Sequence, residues 1–300
     1  PVTHSFIDDC ETPVSAFLKL RASAPDEPAF LLESAEQGQR VGRYSFIGIG
    51  ARAIFRAHAG RVEIRRGDEL REHELAADRS DDPLDHLRRL LAELAPTRLD
   101  DLPRFAGGAV GYVAYDWVRY VERLPERAPD PLGVPDCYFV FPETVLVHDR
   151  TRQRLSIIHD LEIRAGESAD AAYQRGLRAL DEVERRLALP TPRPAEAAGE
   201  PAALEPVSNV TRERFVEMVE HCKEYIHAGD IFQVVPSQRI TLPQRCEPFL
   251  IYRQLRVLNP SPYLFFMRCG DHVVLGSSPE IHVRLTDGRT AADVTADGAE

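Results

Sequence analysis

The sequence predicts an α+β fold of stacked antiparallel sheets with flanking helices. Short strand-like runs follow one another directly, as in CYFVF, VLVHD and RLSIIH between residues 137 and 159. Amphipathic helices separate such runs at irregular intervals, whereas a doubly wound sheet needs strict strand–helix alternation. The composition, 43% hydrophobic and 28% charged, is that of a globular protein with a full core.

The first hundred residues contain patterns for a capped helix, a buried strand, a hairpin and a second helix. Thr12 and Pro13 suit the start of a short helix. The run AFLLES (29–34) is an apolar stretch that ends in a polar pair, which suits a buried strand opening into a pocket or loop. Alternating strands flank residues 58–60 as a hairpin, and leucines at helical spacing predict an amphipathic helix over 83–95.

Residues 105–122 are rich in glycine and aromatic side chains and predict a tight strand–loop unit packed against another layer. Gly107, Gly108 and Gly111 permit a close approach of the backbone to its neighbours. A phosphate-binding loop is disfavoured because no GxxxxGK[ST] pattern occurs. The three strand runs that follow predict an antiparallel meander, and a long helix with Ser168 as its N-cap is predicted over 168–189.

A stretch rich in proline, alanine and glutamate at 190–207 lacks periodicity and predicts a linker between domains 1–189 and 208–300. A helix with one apolar stripe follows, with Thr211 as its N-cap and Gly229 as its C-cap. The stripe consists of Phe215, Val219, Cys222 and Ile226.

The rest of the second domain has strand composition. IFQVVPSQRITL (231–242) contains a proline, which indicates an edge strand, a bulge or a local break. Residues 263–267, 273–275 and 281–285 are predicted to be strands of a second sheet.

Composition also restricts the class of protein. Acidic residues (48) outnumber basic ones (37) and no basic block occurs, which argues against a nucleic-acid partner. No apolar run approaches the length of a membrane span, and the N-terminus lacks a leader pattern. The five scattered cysteines form no CxxC pair, so reduced thiols and a cytoplasmic location are expected, and no metal-ligand cluster is evident.

Four separated motifs agree in order and approximate spacing with one known family. They are LLES with GRYSFIG, then GGAVGY, then GDIFQVVPSQR, and last NPSPYLFF with GSSPE. Together they resemble anthranilate synthase component I, a chorismate-utilising family, from Asp9 to about Arg289. The resemblance implies that 1–189 is a regulatory domain and that 208–300 begins a chorismate-binding catalytic domain, which would be truncated.

The resemblance implies two catalytic residues in this segment. The family reaction adds a nucleophile at C2 of chorismate, displaces the C4 hydroxyl and eliminates pyruvate. Related enzymes that use water carry a lysine base at the position of Gln233, whereas a neutral amide can orient ammonia instead. Glu280 matches the candidate general acid for the departing hydroxyl. No role is expected for His272 or His282.

The resemblance also implies a regulatory site for L-tryptophan between the LLES-like and NPSPY-like segments. Its residues would be Ser34, Pro262, Tyr263 and Leu264. Leu264 replaces a methionine that is common there, an exchange that conserves volume. Weaker candidates are Glu33, which could meet the ligand's ammonium, and Arg43 and Tyr44.

The sequence departs from the family beyond Arg289, where TAADVTADGAE replaces a PIAGT-like loop. The ligands of the expected Mg²⁺ cofactor would lie past Glu300, so this chain is expected to be inactive alone. The implied partner is a glutamine amidotransferase subunit that supplies ammonia. Two alternatives stay open: the aminodeoxychorismate synthase relative of folate synthesis, and a tryptophan-binding, partner-docking fragment without catalysis.

Overall fold

The computed structural model describes residues 1–35, 42–76, 80–95, 102–103, 105–125, 129–193, 204–286 and 289–291. Its strands are β1 Val2–Ile7, β2 Ala29–Glu33, β3 Tyr44–Ile49, β4 Ala53–His58, β5 Arg61–Arg66, β6 Glu69–Glu74, β7 Val110–Val113, β8 Cys137–Phe141, β9 Thr144–Asp149, β10 Arg154–His159, β11 Val207–Ser208, β12 Ile240–Thr241, β13 Tyr263–Cys269, β14 His272–Ser278, β15 Arg284–Thr286 and β16 Arg289–Ala291. Its helices are α1 Pro13–Arg21, α2 Pro83–Glu93, α3 Val118–Val121, α4 Ala169–Leu187, α5 Arg212–Ala228 and α6 Pro248–Leu258, with a 3-10 turn at Tyr115–Trp117.

Two antiparallel sheets carry most of the strands, which confirms the predicted α+β class with stacked sheets and flanking helices. The larger has seven strands in the order β1-β10-β9-β3-β2-β13-β14, and the smaller has five in the order β6-β5-β4-β8-β7. The remaining strands form two short pairs, β11 with β12 and β15 with β16.

The apolar faces of the two sheets meet, and helices cover their outer faces. Strand β8 alternates: Tyr138 and Val140 pack with Phe30 and Met267 of the larger sheet. Cys137, Phe139 and Phe141 point to the other side, where α2 covers them with leucines. Helices α1 and α4 pack together and against the larger sheet. This order of layers follows from the period-two burial of the strands.

Several local predictions are confirmed. Thr12 caps α1 with Pro13 in its first turn, Ser168 caps α4, and Gly229 ends α5 with a left-handed φ of 82°. Strands β4 and β5 form the expected hairpin, with Ala59 and Gly60 both at positive φ in the turn. The glycine-rich unit contains β7, which pairs with β8.

Other predictions need correction. The runs at 137–159 do not form one meander, because β8 lies in the smaller sheet while β9 and β10 pair in the larger one. Pro142 follows β8 directly and has no N–H, so the chain leaves one sheet there before it enters the other. Of residues 231–242, only Ile240–Thr241 is a strand, and the expected strand at 281–285 begins only at Arg284.

Two of the three strands predicted for a second sheet instead join the larger sheet, while β15 pairs with β16. Strand β13 pairs antiparallel with β2 and β14 with β13, so both extend the seven-stranded sheet. By contacts, the chain divides into two compact units, Pro1–Arg193 with Tyr252–Glu300, and Pro194–Ile251. The assignment of regulatory and catalytic domains to 1–189 and 208–300 stays a prediction.

No helix in the described part of the chain is long and apolar enough to cross a membrane. All five cysteines lie in described positions and none is in a disulfide, and Cys137 and Cys269 are buried. Burial raises the pKa of the Cys137 and Cys269 thiols to about 12, so both stay protonated at neutral pH.

Candidate functional site

The two motifs that the sequence places far apart meet where β2 pairs with β13. Leu264 lies opposite Glu33 in the antiparallel register, and the Ala35 N–H donates to the Ser261 carbonyl at 3.0 Å. Directly opposed residues in a sheet point to the same face, so Glu33 and Leu264 are neighbours. We call this place the β2–β13 junction, comprising Glu33, Ser34 and 261–264.

The carboxylate of Glu33 is buried at the junction and holds several donors. Only 5% of the residue is exposed. The Tyr252 hydroxyl donates to Oε2 at 2.7 Å and Arg256 Nη2 donates to Oε1 at 3.0 Å. Arg150 Nη2 lies 3.6 Å from Oε1. A buried carboxylate needs such compensation, because removal from water disfavours its charge.

Arg150 ties the junction to the neighbouring strands. Its Nη1 donates to the Ser34 carbonyl at 3.1 Å and its Nη2 donates to the Ser45 hydroxyl at 3.4 Å. Burial raises the pKa of the Tyr252 hydroxyl, and the Glu33 charge raises it further, so Tyr252 acts as a donor. The junction thus combines one carboxylate, two guanidinium groups and hydroxyls in a small space.

Each residue predicted for the regulatory site has a defined position. Ser34 is 4% exposed at the end of β2 and Leu264 is 3% exposed. Pro262 and Tyr263 are half-buried, and the Tyr263 hydroxyl accepts from Arg284 Nη2 at 3.1 Å. The structure therefore brings Ser34 into the same junction as Pro262, Tyr263 and Leu264. Whether they bind a ligand stays a prediction.

Arg43 and Tyr44 lie beside a structural ion pair. Arg43 binds Asp149 through Nε at 3.1 Å and Nη2 at 2.6 Å, and its guanidinium lies 4.7 Å from the centre of the Tyr44 ring. Burial alone would raise the pKa of Asp149, but Arg43 and the backbone N–H groups of Arg152 and Thr151 hold it below its usual value. The Arg43 side chain is therefore already engaged within the fold.

The two predicted catalytic residues belong to different compact units. Gln233 lies in the unit Pro194–Ile251, in an exposed segment without regular secondary structure. Glu280 is exposed in the other unit, just after β14, where its N–H donates to the Ser278 hydroxyl at 3.4 Å and that hydroxyl donates to the Glu280 carbonyl at 3.3 Å. Their catalytic roles stay predictions.

Comparison with known proteins decides the family. The model of the chorismate binding enzyme family matches residues 27–296, which is most of the chain. The chain belongs to the chorismate-binding enzyme family. The resemblance to anthranilate synthase component I seen in the four motifs is thereby confirmed at the family level.

Similarity to individual proteins of this family supports the same assignment. The chain is 43% identical over 291 residues to anthranilate synthase component 1 of Thermus thermophilus, covering 96% of this chain and 57% of the relative. The protein of that name from Pseudomonas aeruginosa is 39% identical, with the same coverage. The chain thus spans a little over half the length of these relatives.

The fold also matches a solved structure of the family. Anthranilate synthase component I from Streptococcus pneumoniae TIGR4 superposes with a TM-score of 0.63 at 26% identity, covering 95% of this chain and 59% of that one. The match supports the arrangement of stacked sheets that positions the β2–β13 junction.

The sequence alone did not indicate the donors that hold Glu33. Arg150 lies in the turn after β9, and Tyr252 and Arg256 lie in α6. The spacing of Tyr252 and Arg256 offers a signal, because residues four apart lie on one face of a helix. Nothing local in the sequence indicates that this face meets the end of β2.

Among the described residues, no group of three histidine, cysteine or acidic side chains includes Glu280. A magnesium ion in proteins is bound by carboxylates together with water or substrate oxygens. The described residues around Glu280 therefore do not fit a magnesium site by themselves.

Proposed function

We propose that this chain is part of an anthranilate synthase large subunit, which converts chorismate and ammonia into anthranilate and pyruvate. The main support is that relatives of this name are 36–43% identical over 96% of the chain. Because the chain spans 57% of those relatives, the activity of the whole protein is inferred rather than contained in these residues. The product would enter tryptophan biosynthesis, and the proposed compartment is the cytoplasm.

In the proposed reaction, Gln233 orients the nucleophile. Its amide can donate and accept hydrogen bonds but cannot remove a proton from water at neutral pH. This chemistry favours ammonia, which attacks without prior loss of a proton, over water, which needs a base to become a strong nucleophile. A glutamine amidotransferase subunit is the proposed source of the ammonia.

Glu280 is proposed to protonate the C4 hydroxyl as it leaves. A carboxyl group serves as an acid near neutral pH only where its charged form is disfavoured by burial or by neighbouring negative charge. Glu280 is exposed in this structure, and the two carboxylates of bound chorismate would supply the neighbouring negative charge. Mg²⁺ is the proposed cofactor, with ligands expected beyond Glu300.

The regulatory ligand is proposed to be L-tryptophan at the β2–β13 junction. The observation that carries this proposal is the strand pairing that brings Ser34 and Glu33 beside Pro262, Tyr263 and Leu264. An amino acid carries an ammonium and a carboxylate, and the junction offers one carboxylate and two guanidinium groups. An incoming ammonium would share Glu33 with Tyr252 and Arg256, which already donate to it.

The catalytic proposal is tested with a protein extended to the length of its relatives, supplied with chorismate, ammonium and Mg²⁺. We expect anthranilate, detected by its fluorescence, and a loss of at least about a hundredfold in kcat for Glu280→Gln. The matched control is Glu184→Gln, which removes a carboxylate that pairs with His4 on the surface. Formation of aminodeoxychorismate instead of anthranilate would contradict the proposal.

The 300-residue chain alone is expected to form no anthranilate under the same conditions. Fluorescence above the background of a reaction without protein would contradict that expectation. Anthranilate formation by the extended protein but not by the 300-residue chain would support the proposal that catalysis needs residues in addition to these 300.

A further inference from the structure

We propose that His73, Asp81 and His86 form a binding site for a transition-metal dication of the Zn²⁺ class. His73 lies on β6, the edge strand of the five-stranded sheet. Asp81 directly precedes Asp82, the N-cap of α2, and His86 lies in the first turns of that helix. None of these residues belongs to the β2–β13 junction or to the proposed catalytic pair.

The three side chains already converge on one point. Asp81 Oδ2 lies 2.6 Å from His73 Nε2, and its Oδ1 lies 2.8 Å from His86 Nε2. One ligand atom from each residue lies within 4.8 Å of the other two. In a tetrahedral site with bonds of about 2.0–2.2 Å, ligand atoms are separated by roughly 3.3 Å. The His73 side chain is half exposed, so it is the ligand with most room to adjust towards that spacing.

The chemistry of the ligands selects the class of ion. Two imidazoles and one carboxylate are typical zinc ligands, whereas Ca²⁺ and Mg²⁺ prefer oxygen ligands alone. The two imidazole rings lie with centroids 4.5 Å apart. A bound ion would replace their hydrogen bonds to Asp81 and take the Nε2 lone pairs of two neutral rings, each with its proton on Nδ1.

The three side chains differ in how far they are exposed. The His73 side chain is half exposed, while those of His86 and Asp81 are 12% and 20% exposed. The cluster is thus anchored on one side and open on the other, where an ion can enter and keep a water ligand.

Binding would connect strand β6 with helix α2. Strand β6 is exposed at all six positions, and α2 packs on the same sheet through its leucines. An ion held by both would stabilise the folded chain, because it binds the folded state and not the dispersed ligands of the unfolded one.

The test is calorimetric titration of the metal-free 300-residue chain with ZnCl₂. We expect one Zn²⁺ per chain, and a weakening of the Kd by at least about tenfold in His73→Ala, which loses one of three ligands. The matched control is His221→Ala, because His221 is an exposed histidine that pairs with one carboxylate, Glu224, outside the cluster. We expect that control to bind as the parent does.

A second measurement separates loss of a ligand from loss of folding. Circular dichroism must show that metal-free His73→Ala is folded, and Zn²⁺ should raise the Tm of the parent but not of this variant. Equal Zn²⁺ affinity in parent and His73→Ala would overturn the proposal. So would binding that disappears in Cys10→Ser, since Cys10 is an exposed thiol outside the cluster.

Discussion

Glu33 shows how a single residue can be both part of a fold and part of a proposed site. Its carboxylate is buried and accepts hydrogen bonds from Tyr252 and Arg256, with Arg150 close by. These contacts fix the end of β2 at the β2–β13 junction. The charge at this position has a structural role whatever ligand the junction binds.

Glu33→Gln is predicted to destabilise the protein. The amide fits the same space but removes the negative charge that faces Arg256 and Arg150. Because both guanidinium groups are about a third exposed, we expect a loss of about 1–3 kcal/mol in the free energy of unfolding. Urea unfolding followed by circular dichroism measures it.

The matched control for this prediction is Glu184→Gln, which removes a surface carboxylate paired with His4. Surface ion pairs contribute less than about 1 kcal/mol. If Glu33→Gln cost no more than this control, the buried carboxylate would not hold the junction together.

The buried imidazole of His159 is expected to make the free energy of unfolding depend on pH. Burial, followed by the charges of Arg175 and Arg52, lowers the pKa of its imidazole, and its Nδ1 lies 2.8 Å from the Thr144 hydroxyl. The unfolded chain then binds the proton at a higher pH than the folded chain does. The contribution of neutral His159 is complete above the ordinary imidazole value of 6.5 and is lost as the pH falls below it.

We therefore expect the free energy of unfolding to decrease less between pH 7 and pH 5 in His159→Gln than in the parent. The difference should reach up to about 1 kcal/mol per pH unit, the limit for one proton being about 1.4. His221→Gln, at an exposed position, should keep the slope of the parent. Identical slopes for His159→Gln and the parent would exclude His159 as a source of the pH dependence.

At the scale of elements, the sequence predicted local features such as caps and turns better than it predicted which strands pair. The caps at Thr12, Ser168 and Thr211 and the turn at residues 58–60 are formed by neighbours in sequence, so they could be predicted. The pairing of β13 with β2 could not, because strand composition does not specify a partner. Strands β1 and β6 were also missed: β6 is polar and exposed throughout, so it lacks alternation.

Gly111 allows strand β7 to pack closely against strand β8. A Cβ at this position would lie far inside van der Waals contact of the Tyr138 carbonyl oxygen and the Phe139 ring, so only glycine lets β7 approach β8. We expect Gly111→Ala to cost at least about 2 kcal/mol in the free energy of unfolding, because the backbone must shift.

The control is Gly133→Ala, at an open position with a φ of 59°, where a side chain meets nothing within 4 Å. It should cost only about 1 kcal/mol, from the left-handed backbone alone. Thermal or urea unfolding compares the two variants. A smaller cost for Gly111→Ala than for Gly133→Ala would mean that close packing does not explain the glycine.

At the scale of the whole molecule, the two compact units differ in how much apolar surface they bury. Helix α5 has no buried residue, and Phe232 and Val235 in the same unit are 87% and 79% exposed. Helix α4, in the other unit, buries five residues against the sheet and α1. A helix without a buried face depends on its own weak propensity.

Hydrogen exchange is predicted to report this difference. Peptides from α5 should exchange faster than peptides from α4, because local opening of α5 exposes little additional apolar surface. Mass spectrometry of the exchanging 300-residue chain measures both helices in one sample. Equal protection of α5 and α4 would show that the second unit is stabilised by contacts that burial does not reveal.

The candidate site also divides into parts that could and could not be predicted. Ser34 and residues 262–264 were predicted from motifs shared with a family, and the strand pairing brings those segments together. The donors Arg150, Tyr252 and Arg256 come from a loop and a helix that share no motif with β2. Likewise, His73, Asp81 and His86 are separated by irregular spacings that match no metal-binding pattern.

We propose that the β2–β13 junction binds an amino acid as a regulatory ligand. Calorimetric titration of the 300-residue chain with L-tryptophan tests it most directly, with D-tryptophan as the stereochemical control. Ser34→Ala probes the junction, and Ser5→Ala removes a matched hydroxyl that bonds Ser156 on β10. We predict saturable binding of L-tryptophan alone, weakened at least about tenfold by Ser34→Ala and unchanged by Ser5→Ala. Absence of binding by the folded chain, or equal binding of both enantiomers, would contradict the proposed L-tryptophan site at the β2–β13 junction.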